Sequence, residues 1–544
     1  MPCTRHRFGR TTDRRAARRA RGHRLPALLL VPAAVAGALA VLPLGYLLVL
    51  AGRADPAVLA AVLARPRTLA LLGTTVALAA VVTAGCLVVG VGTAWLLERT
   101  DLRGRRTWGV LAVLPLAVPS YVMAYTWVSA LPDLAGFGGA AFVLMLSCTP
   151  YVLLPVAASL RRLDPALEEA ARSLGLGPWA VVRRVVLPQV RPAAAAGGLL
   201  VAVYVLSDFG AVAIMRQETL TRAIATGLGS SFDRTPAVVL SLLLVALTVL
   251  VVGAESRTRA TTRYARVGSG SARTVPVVHL GRAAAATTTA VLVVVAAAGL
   301  GLPLASIVGW LLQGRSAGLD GERLLAALGG SLGLAAGGAV LTTLLALPVG
   351  VVLARRSGRL ARLLEVAVFT GHGVPSVVVA LSLVFLTVRY LPAVYLSAPV
   401  VVVAYAVLFL PMAVGAIRAS AAQSAPVLED VARSLGRRPS QVLREITVPL
   451  AAPGVAAGAA LVLLSGMKEL TATLMLHPTG MTTLALALWD ETTSRSYAAA
   501  APYAAAIVLA SALPALLLGQ HGRRRGGVPA RVVPARAAAR GGTP

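Results

Sequence analysis

The sequence predicts an all-α polytopic membrane protein, with about twelve transmembrane helices in two pseudo-symmetric six-helix halves. Three observations carry that prediction. Of 544 residues, 57% are hydrophobic and only 13% charged, and the mean hydropathy is +0.79, a composition that excludes an ordinary soluble enzyme. The apolar residues fall in runs close to the roughly 20 residues that span a bilayer as a helix. One polar stretch then occurs twice, once in each half.

In chain order, residues 1–25 carry nine arginines and read as a basic, disordered cytoplasmic arm. The apolar run from about Leu25 to Ala51 is longer than the apolar region of a signal peptide, so it reads as an uncleaved anchor. Runs near 69–97, 108–131, 139–160, 193–215 and 236–254 complete a first transmembrane domain, 26–254. Residues 255–282 are rich in Arg, Gly and Ser, with Gly268-Ser269-Gly270 as flexible filler, and read as a cytoplasmic linker. Runs near 283–312, 329–354, 363–388, 398–417, 454–476 and 501–519 make the second domain, 283–520. The tail, 521–544, is again basic and reads as disordered and cytoplasmic.

Orientation follows from the arginines. With the N-terminus inside, forty of the fifty fall on inside segments. That bias places both termini and both polar stretches in the cytoplasm. The net charge of +30 would otherwise suggest a nucleic-acid partner. Because the charge sits in short loops between apolar spans, the expected partner is the lipid bilayer, with no nucleic acid. Cys3, Cys86 and Cys148 are scattered, so neither a disulfide framework nor a cysteine metal site is expected.

The repeated stretch is a polar island. The first copy, 164–192, reads DPALEEAARSLGLGPWAVVRRVVLPQVRP. The second, 425–453, reads APVLEDVARSLGRRPSQVLREITVPLAAP. They align without a gap: Glu168 on Glu429, Arg172 on Arg433, Gly175 on Gly436, Pro178 on Pro439, Pro188 on Pro449 and Pro192 on Pro453. Asp164 can cap a helix whose first turn tolerates Pro165. Glu168 and Glu169 sit early in that helix, where its dipole favours negative charge. Gly175 suits the left-handed residue that ends it. Pro178 suits the start of a second helix of about two to three turns, and Pro188 makes continuation past Leu187 costly. The repeat reaches further. Val118-Pro119-Ser120 matches Val374-Pro375-Ser376 at a slightly different offset, and SDFGAVAIM (207–215) matches KELTATLML (468–476), so Asp208 falls on Glu469.

Glu169-Ala170-Ala171, three residues, Gly175, nine residues and Val185-Val186-Leu187-Pro188 resemble the EAA loop of ABC-importer permeases. Asp430-Val431-Ala432, three residues, Gly436, nine residues and Ile446-Thr447-Val448-Pro449 resemble it with two departures, Asp430 for Glu and Val431 for Ala. The resemblance covers most of the chain apart from the termini and linker. It implies the type I ABC importer permease fold, and coupling helices that seat in two copies of a separate ABC ATPase. By it, the ATPase-coupling residues are Glu168, Glu169, Ala170, Ala171, Gly175, Pro188, Glu429, Asp430, Ala432, Gly436 and Pro449. It also implies an extracytoplasmic solute-binding protein. KELTATLML, Gly466-Met467 and Tyr497-Ala498-Ala499-Ala500-Ala501-Pro502 resemble the iron(III)-transport permeases, which implies ferric iron as cargo. Permeases for thiamine, aminoethylphosphonate and polyamines share the fold and loops.

A P-loop needs G-x-x-x-x-G-K-[ST]. The chain's single lysine, Lys468, is followed by Glu469. No cofactor is therefore expected in this chain, and ATP-Mg would be bound by the partner. The other class of transporter consistent with twelve spans is an ion-coupled secondary one, which would need acidic relays and no docking islands.

Asp208, Lys468 and Glu469 are ionisable groups inside apolar runs, where charge is costly and faces an interior or aqueous path. Counted from Ala193, Asp208 lies about 22 Å along the fifth span. Two readings stand: a polar pair facing a translocation pathway, or an ion-paired lock such as Lys468 with Asp208 across the interface. His372 reads as packing. Tyr121, Tyr125 and Tyr204 could offer phenolate ligands to a ferric ion, but aromatics in spans are more often packing. There is no H-E-x-x-H, cysteine pair or nucleophile elbow, so no enzyme chemistry is expected.

Overall fold

A computed structural model describes residues 27–230, 235–259, 277–313, 320–423 and 426–524. The basic arm, most of the linker, the tail beyond Arg524 and the side chain of His372 lie outside the described residues. Nine helices among the described residues are long and apolar enough to cross a membrane. Two bent pairs bring the number to eleven among the described residues, and Tyr497–Ser511 is a shorter apolar helix at the end of the second half, where a twelfth span is expected. The described residues hold helices throughout, with one isolated bridge between Thr100 and Val278.

The two halves repeat one plan. Spans two and eight (Pro66–Arg99 and Gly321–Arg355) are the longest. Each packs on the span two further along, Phe137–Arg161 or Ala398–Gln423, and on the span that follows the island. Glycines set that closeness. A Cβ on Gly90 would lie 2.8 Å from Val152 Cβ, and one on Gly350 would lie 2.7 Å from Ile417 Cγ2. Small residues at such crossings let helix backbones approach where no hydrophobic force drives association.

The first span of each half belongs spatially to the other. Span one (Ala27–Arg53) packs on spans eight and nine, and Ser382 Oγ donates to the Pro43 carbonyl at 2.7 Å. Span seven (Arg282–Gln313) packs reciprocally on span three and on span twelve, with Ser306 Oγ 3.1 Å from Ser129 Oγ. The halves are therefore interlocked as well as fused.

Spans three and nine are broken at the repeated Val-Pro-Ser. Arg105–Ala117 and Ser120–Ala130 meet at 95°, and Arg359–Gly371 and Ser376–Tyr390 at 99°. The cause is local. The residue before a proline is pushed out of the helical region, and Val118 sits at φ −93°, ψ 113°. Each serine then opens the second piece.

Two expectations about the islands need correction. Pro188 and Pro449 do not end a helix. Pro178–Val181 runs through a π turn, Val182–Val186, into Leu187–Ser207. The second copy runs from Pro439 through Leu443–Thr447 into Val448–Met467. In the π turn Leu187 N–H bonds the Val182 carbonyl, and Val448 N–H the Leu443 carbonyl. The wider turn relieves the clash a proline would make with the preceding turn. The fifth span is accordingly Pro178–Ser207, 30 residues, rather than 193–215. Asp208 is its C-cap and lies where the helix stops. The eleventh span likewise stops at Met467, with Lys468 as its cap.

Candidate coupling and pathway sites

Each island folds as a short helix, a left-handed turn and a junction to the next span. Asp164 Oδ1 accepts from Ala166 N–H at 3.0 Å and caps Pro165–Ser173. Gly175 has φ +83° and Gly436 φ +80°. Leu176 N–H bonds the Ala171 carbonyl, and Arg437 N–H the Ala432 carbonyl, each at 3.1 Å. This is the glycine-terminated cap that the sequence predicts.

The helix has two faces with different work. Glu168 and Glu429 turn inward and are buried, as are Ala171 and Ala432. Glu168 Oε1 lies 2.7 Å from Arg99 Nη1, and Glu429 Oε1 lies 2.9 Å from Arg355 Nη2. Arg172 and Arg433 reach the same carboxylates one turn along their own helix, at 3.6 and 3.3 Å. Glu169, Ala170 and Asp430 face outward. Asp430 pairs with Arg433 at 3.2 Å, whereas Glu169 makes no ion pair among the described residues. Near these carboxylates several large apolar side chains are exposed: Leu174 is 83% exposed, Leu435 77% and Trp179 75%. These large apolar side chains stand exposed at a polar end of the bundle.

Both islands lie at one end of the bundle. Arg99 and Arg355 are the last residues of spans two and eight. At the same end, the residues that open span seven are clamped to the chain after Arg99. Val278 N–H bonds the Arg99 carbonyl at 2.8 Å, Leu280 N–H bonds Asp101 Oδ1 at 2.9 Å, and His279 Nδ1 lies 3.0 Å from Asp101 Oδ2. The Leu280 N–H and the His279 ring hold the Asp101 carboxyl below the usual carboxylate range.

The second constellation lies where spans five and eleven stop. Asp208 is buried. Its Oδ2 accepts from Ser120 Oγ, and its Oδ1 from Ala211 N–H at 2.9 Å and Val212 N–H at 3.4 Å. The carboxylate thus caps the short helix Gly210–Ile214 and holds the bend of span three. Glu469 repeats this: Oε1 accepts from Ala472 N–H at 3.0 Å, and Ser376 bonds its side chain. The backbone N–H groups of one short helix and a serine hydroxyl thus satisfy each of these buried carboxyl groups, with no cation among their partners in the described residues. The proposed lock of Lys468 with Asp208 does not form. Lys468 Nζ reaches across the halves to the Leu116 carbonyl at 3.4 Å.

The tyrosines divide. Tyr125 Oη donates to the Tyr497 carbonyl at 2.7 Å, and Tyr204 packs on Tyr151. The Tyr121 hydroxyl is buried without a hydrogen-bond partner. Among the described residues no group of three or more His, Cys, Asp or Glu side chains is placed to hold a metal ion.

The repeat now has a counterpart in known proteins. Residues 87–256 and 346–525 each match the family "binding-protein-dependent transport system inner membrane component". The chain belongs to this family. The permease is 36% identical, over 84% of its length and 91% of the relative's, to the Fe(3+)-transport system permease protein FbpB 2 of Haemophilus influenzae. It is 33% identical to the sulfate transport system permease protein CysT of Escherichia coli, over 23% of this chain and 50% of that one. It is 35% identical to the molybdenum transport system permease protein ModB of Mycobacterium tuberculosis, over 26% of this chain and 58% of that one. The all-α, twice-repeated permease fold is thus the family's. Arg99, Arg355, Ser120 and Ser376 were missed as site residues. Their recurrence at the Val-Pro-Ser offset was legible, but their partners were not.

Proposed function

We propose that this permease is the membrane-spanning subunit of an ATP-driven importer, with both halves in one chain. Two copies of an ABC ATPase subunit seat on the islands from the cytoplasm, where both termini also lie. ATP-Mg is bound and hydrolysed there, not in this chain. An extracytoplasmic binding protein delivers ferric iron to the opposite mouth. The observation that carries the reading is the doubled island: an inward carboxylate gripping its own bundle, and an outward face of Glu169 or Asp430 amid exposed leucine. The iron assignment is supported by the relative named for Fe(3+) transport, which matches across nearly the whole chain, whereas the sulfate and molybdenum relatives match about a quarter of it.

The test is co-purification of the tagged chain with an ATPase encoded beside it. Glu169→Arg with Asp430→Arg is expected to remove the ATPase from the complex, because both carboxylates face the partner. Retention of a full complement by the double variant counts against the docking surface. Cargo is read separately, from the solute the partner binding protein retains; a protein that ignores ferric iron removes the iron assignment and leaves the coupling intact.

A further inference from the structure

We propose that Arg99 and Arg355 are positioning residues that carry movement of the coupling helices into spans two and eight. The inference rests on the docking role given to the islands.

By chain connectivity each coupling helix is tied only to its neighbours, spans four and five in the first half and ten and eleven in the second. The ion pairs add a third attachment. Arg99 ends span two and is 2% exposed against a Glu168 side chain at 5%. Arg355 ends span eight and is 7% exposed against a Glu429 side chain at 8%. A pair so desolvated cannot open without stranding a charge away from water, so it behaves as a joint and not as a loose surface contact. The carboxylates are on the inward face, opposite the exposed leucines, so a partner pulling on the outer face loads the pair directly. Spans two and eight are each one unbroken helix, and they pack along the spans on either side of each island. They are suited to convey a displacement at one end down the bundle.

The two joints are unequal. Arg355 Nε and Nη2 both lie 2.9 Å from Glu429 Oε1, and Thr447 Oγ1 donates to that oxygen at 3.1 Å. In the first half Val186 stands where Thr447 does, and the buried Nε and Nη2 of Arg99 have no hydrogen-bond partner. Buried donors without partners weaken a polar joint. The first joint is therefore the one that yields under load.

The experiment uses the full chain assembled with its ATPase. Spin labels on the exposed residues Arg103 and Ser357, just beyond spans two and eight, report those spans; labels on Ser173 and Ser434 report the coupling helices. Distances are measured by electron–electron resonance with and without ATP-Mg and vanadate. In the otherwise unsubstituted chain both pairs are expected to shift. Arg99→Gln with Arg355→Gln should keep the coupling-helix shift and lose the span shift. Arg99→Lys with Arg355→Lys should restore it in part, which a merely structural role would not predict. If the glutamine variant fails to assemble, Arg99→Met/Glu168→Leu and Arg355→Met/Glu429→Leu fill the sites with apolar groups, and loss of the span shift is again expected. A normal span shift in any assembled charge-free variant overturns the inference. Failure of the unsubstituted chain to hold an ATPase would instead overturn the proposed function.

Discussion

Replacing Asp208 by alanine, and separately by asparagine, decides between a structural cap and a charge that meets the cargo. Alanine removes every oxygen that Ser120, Ala211 and Val212 donate to. Leaving the two buried backbone N–H groups unpaired costs about 1–3 kcal/mol each, and a lost hydroxyl bond about 1 kcal/mol more. The expected destabilisation is therefore about 3–7 kcal/mol. Ser120→Ala leaves the two backbone bonds in place and should cost about 1–2 kcal/mol. An asparagine side chain keeps an acceptor for the short helix and is itself among the best caps, so Asp208→Asn should cost less than about 1 kcal/mol. The assay is the midpoint of loss of monodisperse protein on heating in detergent, with uptake measured in proteoliposomes on the same preparations. The structural reading requires alanine to be worst, serine removal intermediate, asparagine mild, and the Ser120→Ala/Asp208→Ala pair to fall short of the sum of its parts. An asparagine variant that melts normally yet transports nothing would refute it, because only a role for the charge itself separates the two readouts.

Two further outcomes follow from the packing. Gly90→Leu and Gly350→Leu place bulk where a Cβ alone already comes within 2.8 and 2.7 Å of the facing span, so each should lower the detergent melting midpoint well below that of the exposed control Gly92→Leu. Asp101 binds the chain that opens span seven, and its carboxyl is held below the usual range, so its contribution is present above the ordinary aspartate value and lost as pH falls through the lowered one. The mobility of a spin label on Val278→Cys should therefore be flat around neutrality, rise in strong acid, and be raised at all pH values by Asp101→Ala.

Much of this molecule was readable because its signals are one-dimensional. Bilayer thickness fixes span length, so the apolar runs located most of the spans, while the fifth and eleventh begin and end earlier than predicted. Glycine at a left-handed position is a local requirement, so Gly175 and Gly436 announced the turns. What failed was the step from a residue's cost to its consequence. Pro188 should break a helix, yet the π turn before it removes the clash and the helix continues. Asp208 looked buried mid-span because apolarity continues past Ser207 while the helix does not. The Arg99–Glu168 and Arg355–Glu429 pairs escaped notice because their members lie in different runs. Only folding brings the end of span two beside an island.

The two sets of buried carboxylates are stabilised in different ways, and that difference bears on how the gate can move. Glu168 and Glu429 are neutralised by arginines from other helices, so their stabilisation depends on helices staying together. Asp208 and Glu469 are stabilised by helix N-termini and serines, and those bonds tie a span's end to the bend of its own half's broken span. Neither set crosses the plane between halves. Contact there includes Lys468 on the Leu116 carbonyl, the Tyr125 hydroxyl on the Tyr497 carbonyl, Phe209 against Trp489, and Leu470, whose Cδ2 would lie 3.2 Å from a Cβ on Gly210. A neutral acceptor and van der Waals contact hold more weakly than a buried ion pair. Each half is thus bonded from island to bend, and the seam between the halves is held without a buried ion pair among the described residues. Span one on the far half and span seven on the near one interlock the halves across that seam.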